Sequence, residues 1–158
     1  MSVCQNHYEI RITMKTANMS GLELIQAMIR GEIPRPSMAT TMSMRLVEAD
    51  LGRVMFHATA TDRHLNPLGM VHGGFLATVM DSATGAAVHT MLEPGDSYGT
   101  IDLNVKMLRP VAVGEPLFAE GKVLNVSRSL GVSEATLKNA EGKLFATATA
   151  SCMIKRSG

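Results

Sequence analysis

The amino-acid sequence predicts an α+β fold in which one long helix covers an antiparallel sheet. Residues 73–91 form an almost uncharged run that is apolar nearly all round, which is typical of a helix buried in an interior. On both sides of this run, apolar and polar residues alternate in short stretches bounded by turn residues, as they do in half-buried strands. The order of a hairpin, one helix and then a series of strands favours an antiparallel sheet that needs one face covered. The long helix is the expected cover.

The segment before the long helix is expected to hold a tail, a short helix and a hairpin. Residues 1–19 have no consistent period and are predicted to form a flexible tail. Ser20 and Glu23 form a capping box that opens an additional N-terminal helix. A strand is expected at residues 39–49, with residues 53–61 as its partner in a hairpin.

Four strands are expected after the long helix. In the last of them Phe145, Thr147, Thr149 and Ser151 should share one face, because side chains alternate along a strand. The chain has no internal repeat or linker, so residues 20–158 are expected to form a single domain. The predicted strands lie at residues 100–109, 117–127, 130–138 and 143–154.

Composition excludes several classes of partner. The chain of 158 residues has a formal net charge of +1 and no Trp, so neither an electrostatic nor a stacking argument favours nucleic acid. No apolar run approaches the ~20 residues that a membrane span needs, and the N-terminus lacks the apolar stretch of a signal peptide. A cytoplasmic location is therefore expected. Cys4 and Cys152 lie in no metal or redox motif and are expected to be reduced thiols, although a disulfide between them stays open.

The long helix combines a lone carboxylate with a glycine-rich start. Asp81 is the only carboxylate between His72 and Glu93, and a carboxylate in apolar surroundings is costly unless it is paired or has a function. Gly73 and Gly74 stand at the helix start, where free N–H groups and the helix dipole can hold a developing oxyanion. An acid–base group and an oxyanion site on one segment indicate carbonyl chemistry.

These residues resemble a known family. Asn66, then five residues, His72-Gly73-Gly74, then six residues and Asp81 is a spacing similar to that of the hotdog-fold acyl-CoA thioesterases, in particular the phenylacetate-pathway (PaaI-like) branch. The stretches 100–104 and 108–110 are also similar to that family. The resemblance implies a sheet wrapped around the long helix and a homodimer or a homotetramer made of two dimers. It also implies active sites at the subunit interface, with the His-Gly-Gly loop from one subunit and the helix acid from the other.

The resemblance assigns the central roles to the helix. Asp81 would be the general base for water or the nucleophile on a thioester carbonyl, against the alternative of a solvent-facing helix residue. The N–H of Gly73 would donate to the oxyanion, and Gly74 would let the substrate approach the backbone. A tight turn is the structural alternative for both glycines, and both functions can coexist.

Three further residues are expected at the catalytic site. Asn66 would position substrate or water near the acid, although an Asn before Pro also starts turns. His72 would either hydrogen-bond near the thioester or hold the loop, and the second role is favoured because a single His is usually structural. Thr100 would help to orient water, although Thr is also a good strand former.

Arginine forks suit phosphate oxygens, so Arg109 and Arg128 are candidates for binding the phosphates of coenzyme A, although most surface cations only interact with solvent. His57, His64 and His89 have no metal-ligand spacing, so no metal is expected. No cofactor is expected either, because coenzyme A is part of the substrate.

Two other functions stay open on the same fold. An enoyl-thioester hydratase would need a base and an acid in a different spacing from the one present here. A non-catalytic acyl-CoA-binding module would need no base, yet the acid is present. Fold alone does not separate the three possibilities.

Overall fold

A computed structural model of the protein describes residues 16–157. These residues form three α-helices, one short 3-10 helix at Asp62–His64 and six β-strands. The helices are α1 (Gly21–Ile29), α2 (Ser37–Thr41) and α3 (Gly73–His89), and the strands are β1 (Met44–Asp50), β2 (Arg53–Thr59), β3 (Ser97–Met107), β4 (Pro116–Val126), β5 (Leu130–Asn139) and β6 (Leu144–Lys155).

The six strands form one antiparallel sheet in the order β1-β2-β4-β5-β6-β3. The helix α3 contacts β2 through β6, and its buried side chains join those of the strands in the main core. The strands β1 and β3 are the two edges of the sheet. The predicted α+β class with one long covering helix is therefore confirmed.

The N-terminal helix α1 begins as its sequence predicts. The Ser20 backbone N–H donates to Glu23 Oε2 at 2.7 Å, and the Glu23 N–H donates to Ser20 Oγ at 3.3 Å, which completes the capping box. Ile25 and Ala27 bury its inner face. This helix and α2 both pack against β1, at one edge of the sheet.

The strand predicted at residues 39–49 is wrong in its first half. The helix α2 occupies Ser37–Thr41, and β1 begins only at Met44. Ala39 is buried on the inner side of this helical turn. Ser43 has a φ of 46°, a left-handed conformation that separates α2 from β1. The apolar residues of this stretch therefore serve two different elements.

Bulges alter two of the predicted strand faces. In β3 the register shifts between Thr100 and Asp102, so Ile101 is 58% exposed although strict alternation would place it with half-buried Leu103. In β6 the register shifts beside Phe145, which is fully buried, whereas Thr149 is exposed. The predicted common face of Phe145 and Thr149 is therefore wrong.

Most of the predicted tail, residues 1–15, lies outside the described residues, and Cys4 lies there as well. Cys152 is a buried free thiol in β6.

Candidate active site

The backbone N–H groups in the first turn of α3 differ in whether they form hydrogen bonds. His72 is the N-cap, and its Nδ1 accepts a hydrogen bond from the Gly74 N–H at 2.7 Å. The His72 carbonyl accepts from the Phe75 N–H at 2.9 Å. Within residues 16–157 the Gly73 N–H has no hydrogen-bond partner. A free donor at the positive end of a helix is suited to a developing negative charge.

The loop before α3 is organised by Asn66. The Asn66 Oδ1 accepts hydrogen bonds from the backbone N–H groups of Leu68 at 2.9 Å and Met70 at 3.1 Å. The Met70 carbonyl accepts from the Asn66 N–H at 2.8 Å. The side-chain oxygen of Asn66 therefore holds the turn, as the structural interpretation expects. Its side-chain NH₂ group makes no hydrogen bond to another described residue.

A groove of about 290 Å³ lies beside Gly73. A Cβ atom on Gly73 would lie 2.7 Å from Met107 Sδ, so the glycine allows the end of β3 to approach the helix start. Arg109 lies at this groove and donates from Nη1 to the Leu144 carbonyl at 2.6 Å. The groove is lined by Val71, Gly73, Leu76, Met107, Leu108, Arg109, Pro110 and Val111.

Asp81 lies in the middle of α3, away from this groove. Its Oδ1 is buried and has no hydrogen-bond partner among the described residues. A buried carboxylate oxygen without a hydrogen-bond donor lowers the stability of the fold. A contribution to stability therefore does not explain Asp81 at this position. Asp81 follows Gly73 by eight residues, so the two lie about 12 Å apart along the helix axis.

Two residues that sequence reasoning did not select, Tyr98 and Cys152, lie close enough to Asp81 for its charge to affect their pKa values. Burial raises the pKa of Tyr98 to about 12, and the charges of Cys152 and Asp81 add to the effect. Burial also raises the pKa of the Cys152 thiol, with Asp81 as a smaller cause in the same direction. Tyr98 lies on the same face of β3 as Thr100, because side chains two residues apart along a strand point to the same side. This alternation is the sequence signal that could have identified Tyr98.

Thr100 is exposed on the edge strand β3. Its Oγ1 lies 3.9 Å from Cys152 Sγ, so the expected water-orienting residue does lie in the neighbourhood of Asp81. Asn66, His72, Gly73 and Gly74 gather instead at the start of α3. Within one chain, the predicted catalytic residues therefore form two separate groups.

Arg128 does not join either group. It lies in the turn between β4 and β5, and its carbonyl accepts from Arg156 Nε at 3.0 Å. Gly131, just after this turn, packs on Val88 near the end of α3. Arg128 therefore lies at the opposite end of α3 from Gly73, whereas Arg109 lies beside it.

No group of three or more His, Cys, Asp or Glu side chains within residues 16–157 could hold a metal ion. None of the helices described is both long and apolar enough to cross a membrane.

The family model of the thioesterase superfamily matches residues 68–146, which include the first turn of α3, Asp81 and most of the sheet. The chain belongs to this superfamily, and the assignment to thioester hydrolases and to the hotdog fold is confirmed.

Individual relatives agree with the family. The human protein named acyl-coenzyme A thioesterase 13 is 29% identical over 134 residues, which are 84% of this chain and 93% of the relative. The crystal structure of a phenylacetic acid degradation-related protein from Ralstonia eutropha JMP134 is 37% identical, covers 82% of this chain and 98% of its own, and has a TM-score of 0.75. The PaaI protein of E. coli, from the phenylacetic acid degradation operon, is 20% identical over 87% of this chain and 97% of its own, with a TM-score of 0.75, and shares the fold.

Proposed function

We propose that the protein hydrolyses acyl-CoA thioesters at a site built by two copies of the chain. Asp81 of one copy would act on the thioester carbonyl, and the Gly73 N–H of the other would hold the oxyanion. One observation carries the proposal. Two groups that carbonyl chemistry needs, a buried carboxylate oxygen and a helix-start N–H, both lack partners among residues 16–157, and they belong to residues about 12 Å apart along the axis of one helix. The name of the human relative supports acyl-CoA as the substrate class.

The separation on one helix argues for two copies. The carbonyl carbon must lie about 3 Å from the attacking oxygen while the carbonyl oxygen lies about 3 Å from the oxyanion donor, and two residues about 12 Å apart along one helix do not provide this geometry. The edge strand β3 supports the arrangement, because none of the described strands pairs with its outer backbone edge and Ile101 and Met107 expose their side chains beside it. A symmetric dimer through this edge would form two equivalent sites.

The reaction follows from these groups. Asp81 takes a proton from water as the water oxygen bonds to the carbonyl carbon, and the carbonyl oxygen gains negative charge that the Gly73 N–H stabilises. When the carbonyl re-forms, the carbon–sulfur bond breaks, and the coenzyme A thiolate leaves and takes up the proton that Asp81 accepted from water. In the alternative course Asp81 attacks directly, and water then hydrolyses the resulting anhydride.

The remaining residues would support this centre. Because His72 Nδ1 accepts from Gly74, a neutral ring carries its proton on Nε2, where it can donate toward the thioester. The side-chain NH₂ group of Asn66 would donate to substrate or water while its oxygen holds the loop. Thr100 would orient water near Asp81. Gly74 and Arg109 would bind the coenzyme A portion along the groove beside Gly73.

The first test measures release of free thiol from short, medium, long and aromatic acyl-CoAs by the wild type and by Asp81→Asn. We expect turnover in the wild type and a loss of about 10²- to 10⁴-fold in the variant, with the thermal unfolding midpoint retained. Full activity in Asp81→Asn would contradict the role of the carboxylate. Tight acyl-CoA binding without thiol release would favour the binding module, and addition of water to crotonyl-CoA would favour the hydratase.

A second experiment tests the two-chain site. Asp81→Asn and Gly73→Pro are each expected to be inactive as pure proteins. When the two variants are co-expressed at equal levels, half of the dimers would contain one copy of each. Each of these mixed dimers would hold one intact site and one site that carries both substitutions. We therefore expect about a quarter of the wild-type activity in the co-expressed sample. A site contained in one chain would give no recovery.

A further inference from the structure

A second hollow lies beside α3, where residues of both edge strands, β1 and β3, line it. Its volume is about 190 Å³, and it lies between α1, α2 and β1 on one side and α3 with Tyr98 on the other. Ser82, the neighbour of Asp81 in sequence, lines it. Apolar side chains dominate the walls, which are formed by Ile25, Met28, Pro36, Met38, Ala39, Met44, Leu46, Phe56 and Ala86, together with His89 and Tyr98.

Two arginines also line this cavity. Arg35 and Arg45 are exposed, and both line the cavity and a shallow polar groove that adjoins it. The groove also contains Ser43, His57 and Thr59. Among residues 16–157 neither guanidinium forms an ion pair, and no carboxylate lines the cavity or the groove. Two like charges therefore lie where the apolar cavity adjoins the polar groove, without a counter-ion from the described part of the chain.

The backbone limits the freedom of these arginines. Pro34 and Pro36 flank Arg35, and each ring fixes its own φ and restricts the residue before it. Arg45 lies in β1 and is paired in the sheet with His57 of β2. The entropy lost when the two side chains bind one anion is reduced accordingly, because only side-chain rotations have to be fixed.

We propose that this cavity accepts an acyl group with an apolar body and a carboxylate at its far end, which Arg35 and Arg45 bind. The inference rests on the proposed thioester hydrolysis, with the thioester end near Ser82 and Asp81. A cavity of 150 Å³ in another protein holds a benzene ring, so the apolar body here corresponds to about six carbon atoms. The preferred substrate class is the monothioester of a medium-chain dicarboxylic acid.

The test compares two non-hydrolysable thioethers, S-hexyl-CoA and S-(5-carboxypentyl)-CoA, by isothermal titration calorimetry. Both carry the same coenzyme A, so their difference reports the terminal carboxylate alone. We expect the wild type to bind the carboxylated ligand about tenfold more tightly, and Arg35→Gln and Arg45→Gln each to remove most of that preference. Arg30→Gln is the matched control, because Arg30 is exposed, is paired with Glu32 and does not line the cavity.

Two results would overturn the inference. If the wild type shows no preference for the carboxylated ligand, the cavity does not select for it. If Arg35→Gln and Arg45→Gln weaken both ligands equally, the arginines bind phosphates of coenzyme A instead.

Thiol release from hexanoyl-CoA and adipoyl-CoA separates this inference from the proposed function. Hydrolysis of both thioesters without selectivity would retain the function and reject the carboxylate site. Selective binding without hydrolysis of either would retain the site and reject the function.

Discussion

The two sides of α3 differ in how completely their polar groups are satisfied. On the sheet side, the Thr84 carbonyl accepts from Ser133 Oγ at 3.0 Å, and Gly121 of β4 lies directly against the Ala83 carbonyl. On the side toward the edge strand β3, here called the open side, the Gly73 N–H and Asp81 Oδ1 have no partner among the described residues. A helix that is held tightly by the sheet can keep unsatisfied groups on its other side in fixed positions.

The comparison separates stability from function along one element. Substitutions on the sheet side should change the free energy of unfolding, because that side has no room for additional atoms. Substitutions on the open side should change turnover or selectivity with a smaller effect on stability. Three substitutions test this division, one on each side and one at the cavity.

Of these three, the largest effect is expected from Gly73→Pro, which removes the proposed oxyanion donor. Proline is tolerated at the first position of a helix, and the preceding His72 has φ −67° and ψ 137°, which suit a residue before proline. We expect kcat to fall about 10²- to 10³-fold, as when an oxyanion-hole donor is lost elsewhere, with little change in unfolding temperature. Thiol-release kinetics and thermal unfolding measure the two quantities.

Gly73→Ala is the control for crowding. Its Cβ would meet the same Met107 sulfur, which belongs to a flexible side chain, yet the N–H remains. If Gly73→Ala loses as much activity as Gly73→Pro, crowding of the groove and not the donor explains the loss.

The second effect is expected on the sheet side, from Gly121→Ala. The added Cβ would collide with the backbone carbonyl of Ala83, which cannot move unless α3 moves. We expect the free energy of unfolding to fall by about 1–3 kcal/mol in urea titrations. Gly99→Ala is the matched control, because its Cβ would meet no atom within 4 Å and its φ is not positive. Equal destabilisation by both changes would show that the loss of glycine, and not the collision, is responsible.

Local sequence signals were sufficient for much of the fold. The capping box of α1, the uncharged run of α3 and the alternation in β2 each depend on residues close together in the chain. The errors fall where long-range pairing decides. The extra residue at Phe145 depends on how β6 meets β5, and α2 depends on the core that receives Ala39.

The candidate site divides in the same way. The pattern from Asn66 to Asp81 identifies the groups with reactive potential, because helix start and carboxylate are local features. It does not reveal that Tyr98 and Cys152, which are distant in the sequence, lie near Asp81. The cavity between α1, α2 and Tyr98 was also beyond the sequence, since its walls come from segments more than 50 residues apart in the chain.

The smallest effect is expected from His89, which lines the cavity and lies 5.2 Å from the Tyr98 ring between centroids. Burial lowers the pKa of His89 from its usual 6.5, so the unfolded chain takes up the proton first as the pH falls. Stability is therefore present above about pH 7 and decreases as the pH falls below 6.5.

The variant His89→Gln has no such charge to bury. We expect the thermal unfolding midpoint of the wild type to fall between pH 7.5 and pH 5.5 by about 1–3 °C more than that of the variant. His57, whose pKa is lowered by burial and by Arg45, remains in both proteins and contributes the same decrease to each. Identical pH dependence in the two proteins would mean that the ring of His89 accepts a proton without loss of stability, so that this part of the cavity tolerates positive charge.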